Sequence, residues 1–434
     1  MESIWSKEVE DTALKNKVAG DIQTEVLVIG GGMAGILCAY QLMSRGIDCL
    51  LVEKHRMCSG NTRNTTAKIT AQHQLIYNRL IRSFGEEKAR QYYDINTRGL
   101  KEFRRLANEI SCDYEEKTAY VYSCDDKAKL EAEAEAYEKL KIPYLWEERC
   151  NLPFFDAGAV GMPGQAQFHP LKFTESILSR LDYSEETFVT EIQGNKAVTE
   201  NGSITANHII LATHYPMVNV PGLYFMKLVQ QRSYVLALAG APELDGMYIE
   251  AQKDGYSFRN YGDLLLLGGG GHKTGKHGGG WHRLSDFAAA NCPQATEVAA
   301  WAAQDCITLD QVPYVGIHRR KAGNLYIAAG FNKWGMTGSM SAALVLAELI
   351  ADGKSHYQEL FSPQRSIIHP KLFANVGAAA LHLITPGRRC SHLGCRLTWN
   401  EAERSWDCPC HGSRFDDGGQ VLDNPAKKGI SYEK

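Results

Sequence analysis

The stretch Glu25-Val26-Leu27-Val28-Ile29-Gly30-Gly31-Gly32-Met33-Ala34-Gly35 decides the fold of this chain. Its short apolar run, partly β-branched, is typical of a strand that is buried on both faces of a parallel sheet. A helical pattern follows over Ile36 to Ser44 and ends at Arg45-Gly46, where glycine after a basic last turn is a common helix end. A second strand pattern runs from Ile47 to Val52. The order of these segments predicts a strand–turn–helix–strand unit with parallel strands.

The turn of this unit has the spacing G-x-G-x-x-G, which permits a tight turn, a close approach of a pyrophosphate to the backbone, and close packing of helix on strand. The helix N-terminus offers N–H groups and the positive end of its dipole to phosphates. Glu53 ends the second strand 18 residues after the last glycine, where a carboxylate can accept hydrogen bonds from ribose hydroxyls. We therefore predict a dinucleotide site, with FAD and NAD both open at this point. Its predicted residues are Gly30, Gly32, Met33, Ala34, Gly35, Glu53 and Lys54.

A later segment favours FAD over NAD. An apolar strand pattern from Asn324 to Gly330 is followed by Phe331 to Ser339 and then by a helix pattern from about Met340 to Ile350. A helix N-terminus placed there can face the pyrimidine edge of an isoalloxazine and stabilise the negative charge of the reduced flavin. Another strand pattern, His208 to His214, ends in small residues that suit contact with a bound nucleotide.

Together these motifs resemble the FAD-dependent oxidoreductases of the D-amino-acid-oxidase/glycine-oxidase superfamily over about residues 20–355. The segments that carry the resemblance are 30–35, Glu53, 211–213 and 330–337. The resemblance implies an α/β fold in which a Rossmann-like FAD domain is interwoven with an α+β substrate domain. The expected ranges are 1–84, 155–219 and 307–355 for the FAD domain, and 85–154 and 220–306 for the substrate domain. Further FAD contacts implied by the resemblance are Thr65, Thr66, Ala67, Thr213, Gly330, Trp334, Gly335, Met336 and Thr337.

The C-terminal region concentrates side chains that bind metals. Four of the 12 cysteines and two histidines fall within 22 residues there. Cys390 and His392 form a C-x-H arm, and Cys408 and His411 form a C-x-x-H arm, with fifteen residues between the two arms. Two thiolates and two imidazoles can complete a four-ligand site. Zinc sites usually pair two cysteines as C-x2–4-C within one arm, whereas each arm defined here combines one cysteine with one histidine.

The two arms, with Cys395 and Cys410 in matching places of their loops, resemble a Rieske [2Fe–2S] domain. The resemblance assigns Cys390 and Cys408 to one iron, and His392 and His411 to the second iron. It also implies a disulfide between Cys395 and Cys410. Histidine ligation raises the reduction potential of such a cluster above that of a four-cysteine cluster. Because only a short segment separates the flavin region from the first ligand, we expect a minimal all-β domain over 364–434 that is docked on the flavoprotein body.

The superfamily oxidises C–N bonds of amines and amino acids, and one departure from its pattern bears on the substrate. Members that oxidise amino acids carry an arginine shortly before a T-x-D-x-x-P stretch, which is Thr308 to Pro313 here, and Asp305 stands in the arginine's place. A buried carboxylate would favour a cationic amine, whereas a helix-capping role for Asp305 stays open. His73, His169 and Arg259 are further candidates for the substrate pocket, and we assign no catalytic residue.

The two cofactors together predict a reaction class. A flavin takes up two electrons as a hydride, whereas a [2Fe–2S] cluster takes one electron at a time. Because no second nucleotide fingerprint is present, we expect the substrate itself to be the reductant. We predict a dehydrogenase in which electrons pass from FAD to the cluster and on to an external acceptor: a ferredoxin-like carrier, a quinone or O2. An electron-transfer hub reduced by a protein partner, a redox sensor based on Cys395 and Cys410, and covalent attachment of FAD through His73 or Cys58 stay open.

Composition excludes several other classes of protein. The 434 residues carry 47 basic and 50 acidic side chains, a formal charge of −3, which lacks the cationic surplus of a nucleic-acid-binding protein. The polar leader mixes both charges without an apolar run, unlike a secretory signal. No stretch approaches the roughly 18 consecutive apolar residues of a spanning helix. We expect a cytoplasmic protein without a transmembrane segment.

Overall fold

The computed structural model describes residues 2–8, 17–218, 222–276, 280–319, 322–366, 372, 377 and 381–430. Its strands are β1 (Gly20–Ile29), β2 (Cys49–Val52), β3 (Lys68–Ile69), β4 (Glu115–Tyr122), β5 (Leu145–Glu147), β6 (Ala159–Gln167), β7 (Tyr183–Ser184), β8 (Val189–Gln193), β9 (Lys196–Thr199), β10 (Gly202–Leu211), β11 (Leu228–Ala239), β12 (Gly246–Glu250), β13 (Ser257–Tyr261), β14 (Leu264–Lys273), β15 (Thr296–Thr308), β16 (Tyr314–Arg319), β17 (Ala322–Ala329), β18 (Thr398–Asn400), β19 (Ser405–Asp407), β20 (Arg414–Phe415) and β21 (Val421–Asp423). Its α-helices are α1 (Met33–Met43), α2 (Tyr77–Phe84), α3 (Glu86–Ala107), α4 (Lys127–Lys139), α5 (Pro170–Leu178), α6 (Tyr224–Lys227), α7 (His282–Asn291), α8 (Gly335–Asp352) and α9 (Gln358–Phe361). Short 3-10 helices cover Ile4–Lys7 and Asn61–Asn64. Among these described residues, no helix is both long and apolar enough to cross a membrane.

The first sheet has the strand order β16-β17-β10-β1-β2-β7, and the hairpin β8-β9 joins it through β10. Strands β17, β10, β1 and β2 run parallel to one another. The residues that follow β1, β10 and β17 therefore meet at one edge of the sheet, and α1 and α8 pack together beside it. The carboxyl edge of parallel strands is where such sheets bind ligands. The Rossmann-like arrangement predicted from the glycine turn is confirmed.

Two element boundaries differ from the sequence prediction. β1 begins at Gly20 rather than Glu25, because its first residues continue the parallel pairing with β10, from Gly20 opposite Gly202 onwards. α8 begins at Gly335, so the predicted start at about Met340 was wrong. Glycine and serine in that segment have poor helix propensity, but burial of its small side chains against the core outweighs the propensity.

The second sheet has the order β15-β11-β14-β13-β12-β4-β6-β3, and β5 pairs with β6. It takes in β3 and β6, although both lie within the ranges predicted for the FAD domain. Conversely, α3 lies in the range predicted for the substrate domain but packs against α8, which lies beside the first sheet. Strand pairing and helix packing alone do not define domain limits, so the predicted limits stay a prediction.

The third sheet is a four-stranded antiparallel sheet, β18-β19-β20-β21, with its own small core. This confirms the small all-β domain expected at the C-terminal end. The domain lies against the second sheet, where Arg232 of β11 forms an ion pair with Glu403, and the two side chains are only 5% and 9% exposed. The C-terminal domain is thus docked on the second sheet, as expected from the short segment that precedes it.

Candidate functional site

A cavity of about 1460 Å³ runs along the carboxyl edge of the first sheet and reaches the second sheet and the C-terminal domain. Its volume exceeds the roughly 300–1,000 Å³ of a pocket for one drug-sized ligand, which leaves space for a long cofactor and a substrate. The predicted cofactor residues in its wall are Gly30, Gly32, Met33, Ala34, Glu53, Lys54, Thr65, Thr66, Thr213, Trp334, Gly335 and Met336. Outside the wall lie Gly35, Ala67, Gly330 and Thr337.

The glycine turn is shaped by close approaches of the backbone. Gly30 has a φ of +113°, and a Cβ on it would lie 2.5 Å from the carbonyl oxygen of Ala212, the residue that follows the neighbouring strand β10. A Cβ on Gly35 would clash with the Gly30 carbonyl, so Gly35 allows α1 to pack on β1 rather than contact a ligand. Met33 begins α1, and its N–H donates to Thr62 Oγ1 at 2.9 Å. Gly32 and Ala34 line the cavity on either side of Met33, so the N-terminus of α1 faces the cavity as a pyrophosphate site requires.

The carboxylate of Glu53 lies at the end of β2 in the same wall. Its two oxygens accept hydrogen bonds from the N–H groups of Gly31 at 2.7 Å and His55 at 3.0 Å. An ionised carboxylate can accept about four hydrogen bonds, so two remain available for ribose hydroxyls. This orientation fits the predicted contact with a ribose.

At the other end of the cofactor site, the N-terminus of α8 lines the cavity. The ring of Trp334 stacks on His73, with centroids 4.9 Å apart and planes 18° from parallel. Thr337 is buried behind this wall, where its hydroxyl accepts a hydrogen bond from the N–H of Thr70 at 2.9 Å. The segment after β3 is thereby tied to the helix end that fits a flavin ring.

Sequence reasoning missed Trp5 because it lies in the polar leader. Its side chain is fully buried, and Nε1 donates to the carbonyl of Thr65 at 2.7 Å. Trp5 thus fixes the backbone beside two predicted FAD contacts. A tryptophan isolated from any apolar periodicity gives no local signal of that role.

Of the candidates for the substrate pocket, His73 lines the cavity, whereas His169 and Arg259 do not. His73 lies in the cavity wall, where both ring nitrogens are engaged, with Tyr92 Oη at 2.6 Å and the Thr70 carbonyl at 2.8 Å. Burial lowers the pKa of His73 to about 3, so its imidazole is neutral at ordinary pH. His169 and Arg259 lie outside the wall: His169 caps α5, and Arg259 donates to the Ala67 carbonyl at 2.9 Å.

Asp305 also lies in the cavity wall, on β15 opposite Gln231 of β11. The helix-capping alternative was therefore wrong, because the surrounding residues pair as a strand. Burial raises the pKa of Asp305, whereas the positive charge of Lys333 acts in the opposite direction. This part of the cavity wall thus presents a carboxyl group and an amine close together.

The four cysteines of the C-terminal domain converge in its core. The Sγ atoms of Cys395, Cys408 and Cys410 lie within 4.8 Å of one another, a trio that contains one predicted iron ligand and both predicted disulfide partners. Contact with Cys390 and the other thiols holds the pKa of Cys408 well below its usual range, which favours the thiolate that binds iron. All four are free thiols in this structure, so the disulfide between Cys395 and Cys410 stays a prediction.

The two predicted histidine ligands face each other beside these thiols. The rings of His392 and His411 have centroids 5.1 Å apart with planes at 87°. Within the described part of the chain, the buried Nδ1 of His411 has no hydrogen-bond partner, as expected for a nitrogen that binds a metal. The converging thiols and imidazoles fit a Rieske [2Fe–2S] cluster.

The C-terminal domain also contributes to the large cavity. Residues 420–427 form part of its wall, and Asn424 Nδ2 donates to the carbonyl of Thr213 at 2.7 Å. Tyr215, two residues further on, has its ring 6.5 Å from the ring of His392. The predicted flavin site and the predicted cluster site are therefore separated by a few side chains.

Comparisons with known proteins agree with both parts of the chain. Residues 25–349 match the family model described as FAD dependent oxidoreductase, and residues 382–432 match that of the Rieske [2Fe–2S] domain. The Bacillus subtilis (strain 168) protein named Rieske 2Fe-2S iron-sulfur protein YhfW is 33% identical over 475 residues, covering 94% of this chain and 93% of its own. The structure is similar to L-proline dehydrogenase from P. horikoshii, with TM-score 0.67, 17% identity and coverage of 80% and 98%. It is also similar to glycine oxidase from Geobacillus kaustophilus, with TM-score 0.66, 21% identity and coverage of 80% and 99%.

Proposed function

This chain belongs to the FAD-dependent oxidoreductase family and carries a C-terminal Rieske [2Fe–2S] domain, and from that basis we propose that it oxidises the C–N bond of an amine or amino-acid-like substrate. When bound, FAD supplies a two-electron acceptor for the hydride, and the [2Fe–2S] cluster supplies a one-electron path to an external carrier. The observation that carries the proposal is the shared cavity, whose wall includes both the predicted flavin contacts and residues 420–427 of the Rieske domain.

In this proposal, different residues along the cavity bind different parts of FAD. The N-terminus of α1 would bind the pyrophosphate of FAD, and Glu53 would bind a ribose. The N-terminus of α8 would face the flavin ring, and its positive dipole end would stabilise negative charge there. The neutral ring of His73 holds Trp334 in place beside it.

The substrate side of the cavity carries charges of both signs, which suits an amine that also bears a carboxylate. Asp305 is placed to attract an ammonium group, and Lys333 is placed to attract a carboxylate. Lys68 Nζ donates to the carbonyl of Tyr248 at 3.1 Å. Burial and the charge of Arg259 lower the pKa of Lys68 to about 7, so part of it is neutral near pH 7 and can accept the proton that an ammonium must lose before hydride transfer.

The proposal is tested by mixing the purified holoprotein anaerobically with a panel of amines and amino acids while the flavin absorbance is followed. We expect at least one amine or amino acid to bleach the flavin in a saturable manner. If no member of the panel reduces the flavin and a reduced ferredoxin does, the proposed reaction is wrong and the protein is an electron-transfer hub.

A further inference from the structure

Two buried glutamines lie between the second sheet and the Rieske domain. Gln230 on β11 is 1% exposed and Gln304 on β15 is 2% exposed. Gln304 Nε2 donates to Gln230 Oε1 at 2.7 Å, so the two side-chain amides form one unit, which we call the glutamine pair. A buried amide is stable only when its donors and acceptors are satisfied, so the direction of its remaining hydrogen bonds is informative.

The remaining donors of the glutamine pair all point to the Rieske domain. Gln230 Nε2 donates to the carbonyl of His411 at 2.9 Å and to the carbonyl of Asn424 at 2.8 Å. Gln304 Nε2 donates its second N–H to the carbonyl of Gly412 at 2.9 Å. Of the four amide N–H groups, three therefore hold the backbone of the Rieske domain, and two of these hold the loop that carries the ligand His411.

The same residues are connected to the flavin side of the cavity. The backbone N–H of Gln304 donates to Asn61 Oδ1 at 2.9 Å, and Asn61 Nδ2 donates to the carbonyl of Gln304 at 2.6 Å. Asn61 lies in the cavity wall. Asn424, which accepts from Gln230, in turn donates to the carbonyl of Thr213. The hydrogen bonds thus run without a break from the cluster loop to the wall of the flavin site.

Two glycines show how closely the loop is pressed onto this surface. Gly412 has a φ of +83°, and a Cβ there would clash with the side chain of Gln230. Gly275, in the turn after β14, has a φ of +75°, and a Cβ there would clash with the backbone of Pro409. Both positions require glycine, because the backbone has a positive φ and there is no space for a Cβ. The loop 408–412 is therefore packed closely against the second sheet in a single position.

We propose that Gln230 and Gln304 are positioning residues that hold the cluster loop at a fixed distance from the flavin and thereby set the rate of electron passage within the chain. The inference rests on the proposed function, in which electrons pass from FAD to the cluster. In that step one electron leaves the reduced flavin and one is gained by the cluster, no bond forms or breaks, and the external carrier is the final oxidant.

The test compares Gln230→Met and Gln304→Met, which keep side-chain length and remove the donors, with Gln167→Met as a matched control. Gln167 is equally buried at 2% exposure, and its Nε2 donates to the carbonyl of Asn260 at 2.8 Å, within the second sheet and away from the Rieske domain. The flavin of the holoprotein is photoreduced anaerobically, so no substrate is needed, and cluster reduction is then followed by absorbance and EPR. Amide hydrogen exchange over 408–415 is measured separately on the oxidised protein.

We expect both interface variants to retain the cluster and the wild-type rate of flavin photoreduction. Electron passage should slow by about 10- to 100-fold, the usual effect of removing groups that orient metal ligands, and amide exchange over 408–415 should accelerate. The control should leave both readouts unchanged.

Several results would overturn the positioning role. One is electron passage at the wild-type rate in both interface variants, and another is an equal slowing in Gln167→Met. Loss of the cluster from both interface variants but not from the control would assign the pair a purely structural role. If the wild-type protein itself shows no passage from photoreduced flavin to cluster, the proposed internal path fails instead.

Discussion

Glu403→Gln is the substitution that tests most sharply how the Rieske domain is held on the flavoprotein body. Glu403 lies between two arginines and is 9% exposed. Its carboxylate accepts from Arg232 Nε at 2.9 Å, from Tyr234 Oη at 3.1 Å and from Arg414 Nη2 at 2.8 Å. The substitution keeps the shape of the side chain and removes its charge. Arg414 then keeps Asp407 at 3.0 Å and Asp423 at 2.9 Å as anionic partners, whereas Arg232 keeps Asp423, at 3.8 Å.

The expected loss follows from the burial of this cluster. Breaking a buried ion pair by neutralising one partner costs about 3–5 kcal/mol, because the remaining charge is left without compensation. We expect about 3 kcal/mol for Glu403→Gln, the lower end of this range, because the amide oxygen still accepts a hydrogen bond and Asp407 and Asp423 still compensate part of the positive charge. For a domain of this size, that corresponds to a fall of more than about 10 °C in the unfolding midpoint.

The pKa of Glu403 also determines how the stability of the domain depends on pH. Burial acts to raise the pKa of Glu403, but the charges of Arg232 and Arg414 outweigh it and hold the pKa below its usual range. A carboxyl with a lowered folded-state pKa stabilises the protein above its ordinary pKa, and this contribution is lost as the pH falls through the lowered value. The wild-type domain should therefore lose more stability in acid than the Glu403→Gln variant.

The assay is thermal unfolding followed by the visible circular dichroism of the cluster, which reports on the Rieske domain alone. Glu401→Gln is the matched control, because Glu401 is exposed and accepts one hydrogen bond from Trp399 Nε1 at 2.7 Å. We expect the control to change stability by less than about 0.5 kcal/mol. The reasoning would be refuted if the free energy of unfolding of Glu403→Gln lay within about 1 kcal/mol of that of the control, which is twice the change expected for the control itself.

Three further predictions concern the cofactors and the substrate. In Lys68→Met we expect the rate of flavin reduction by substrate to lose its rise through about pH 7, because the pKa of Lys68 lies near that value and only the neutral amine accepts a proton; an unchanged pH profile would exclude this role. Glu53→Gln should weaken FAD binding about tenfold or more by equilibrium dialysis, since hydrogen bonds to a charged group contribute about 1.5–3 kcal/mol, and an unchanged dissociation constant would place the ribose elsewhere. His411→Ala should abolish the reduced Rieske EPR signal while the flavin absorbance is kept, and a retained signal would remove His411 from the ligand set.

Sequence alone predicted the parts of the molecule that depend on local spacing. The glycine turn, the acid at the end of β2 and the two cysteine–histidine arms each require fixed residue types a few positions apart, and the chain provides them within short segments. Gly35 and Glu53 are examples. The close packing of Gly35 on Gly30 and the hydrogen bond of Glu53 with Gly31 both arise within a single β–α–β unit.

The rest depends on pairings between distant segments. His169 and Arg259 have the residue types of a substrate pocket, but packing places both outside the cavity. Asp305 lies on a strand that is recognised only when β11 is placed beside it. Gln230 and Gln304 belong to no motif, and their role emerges only when the Rieske domain is seated on the second sheet. Such contacts join positions more than 70 residues apart, as with the pair 230 and 304.

The most direct test of electron passage between flavin and cluster is one anaerobic reduction with less than one equivalent of a substrate that bleaches the flavin, followed by freezing and EPR. We expect the frozen sample to show the signal of a reduced Rieske cluster, formed within the same molecule and independent of protein concentration. A reduced flavin beside a cluster that stays oxidised and EPR-silent would contradict the proposal that the docked domain receives electrons from the flavin.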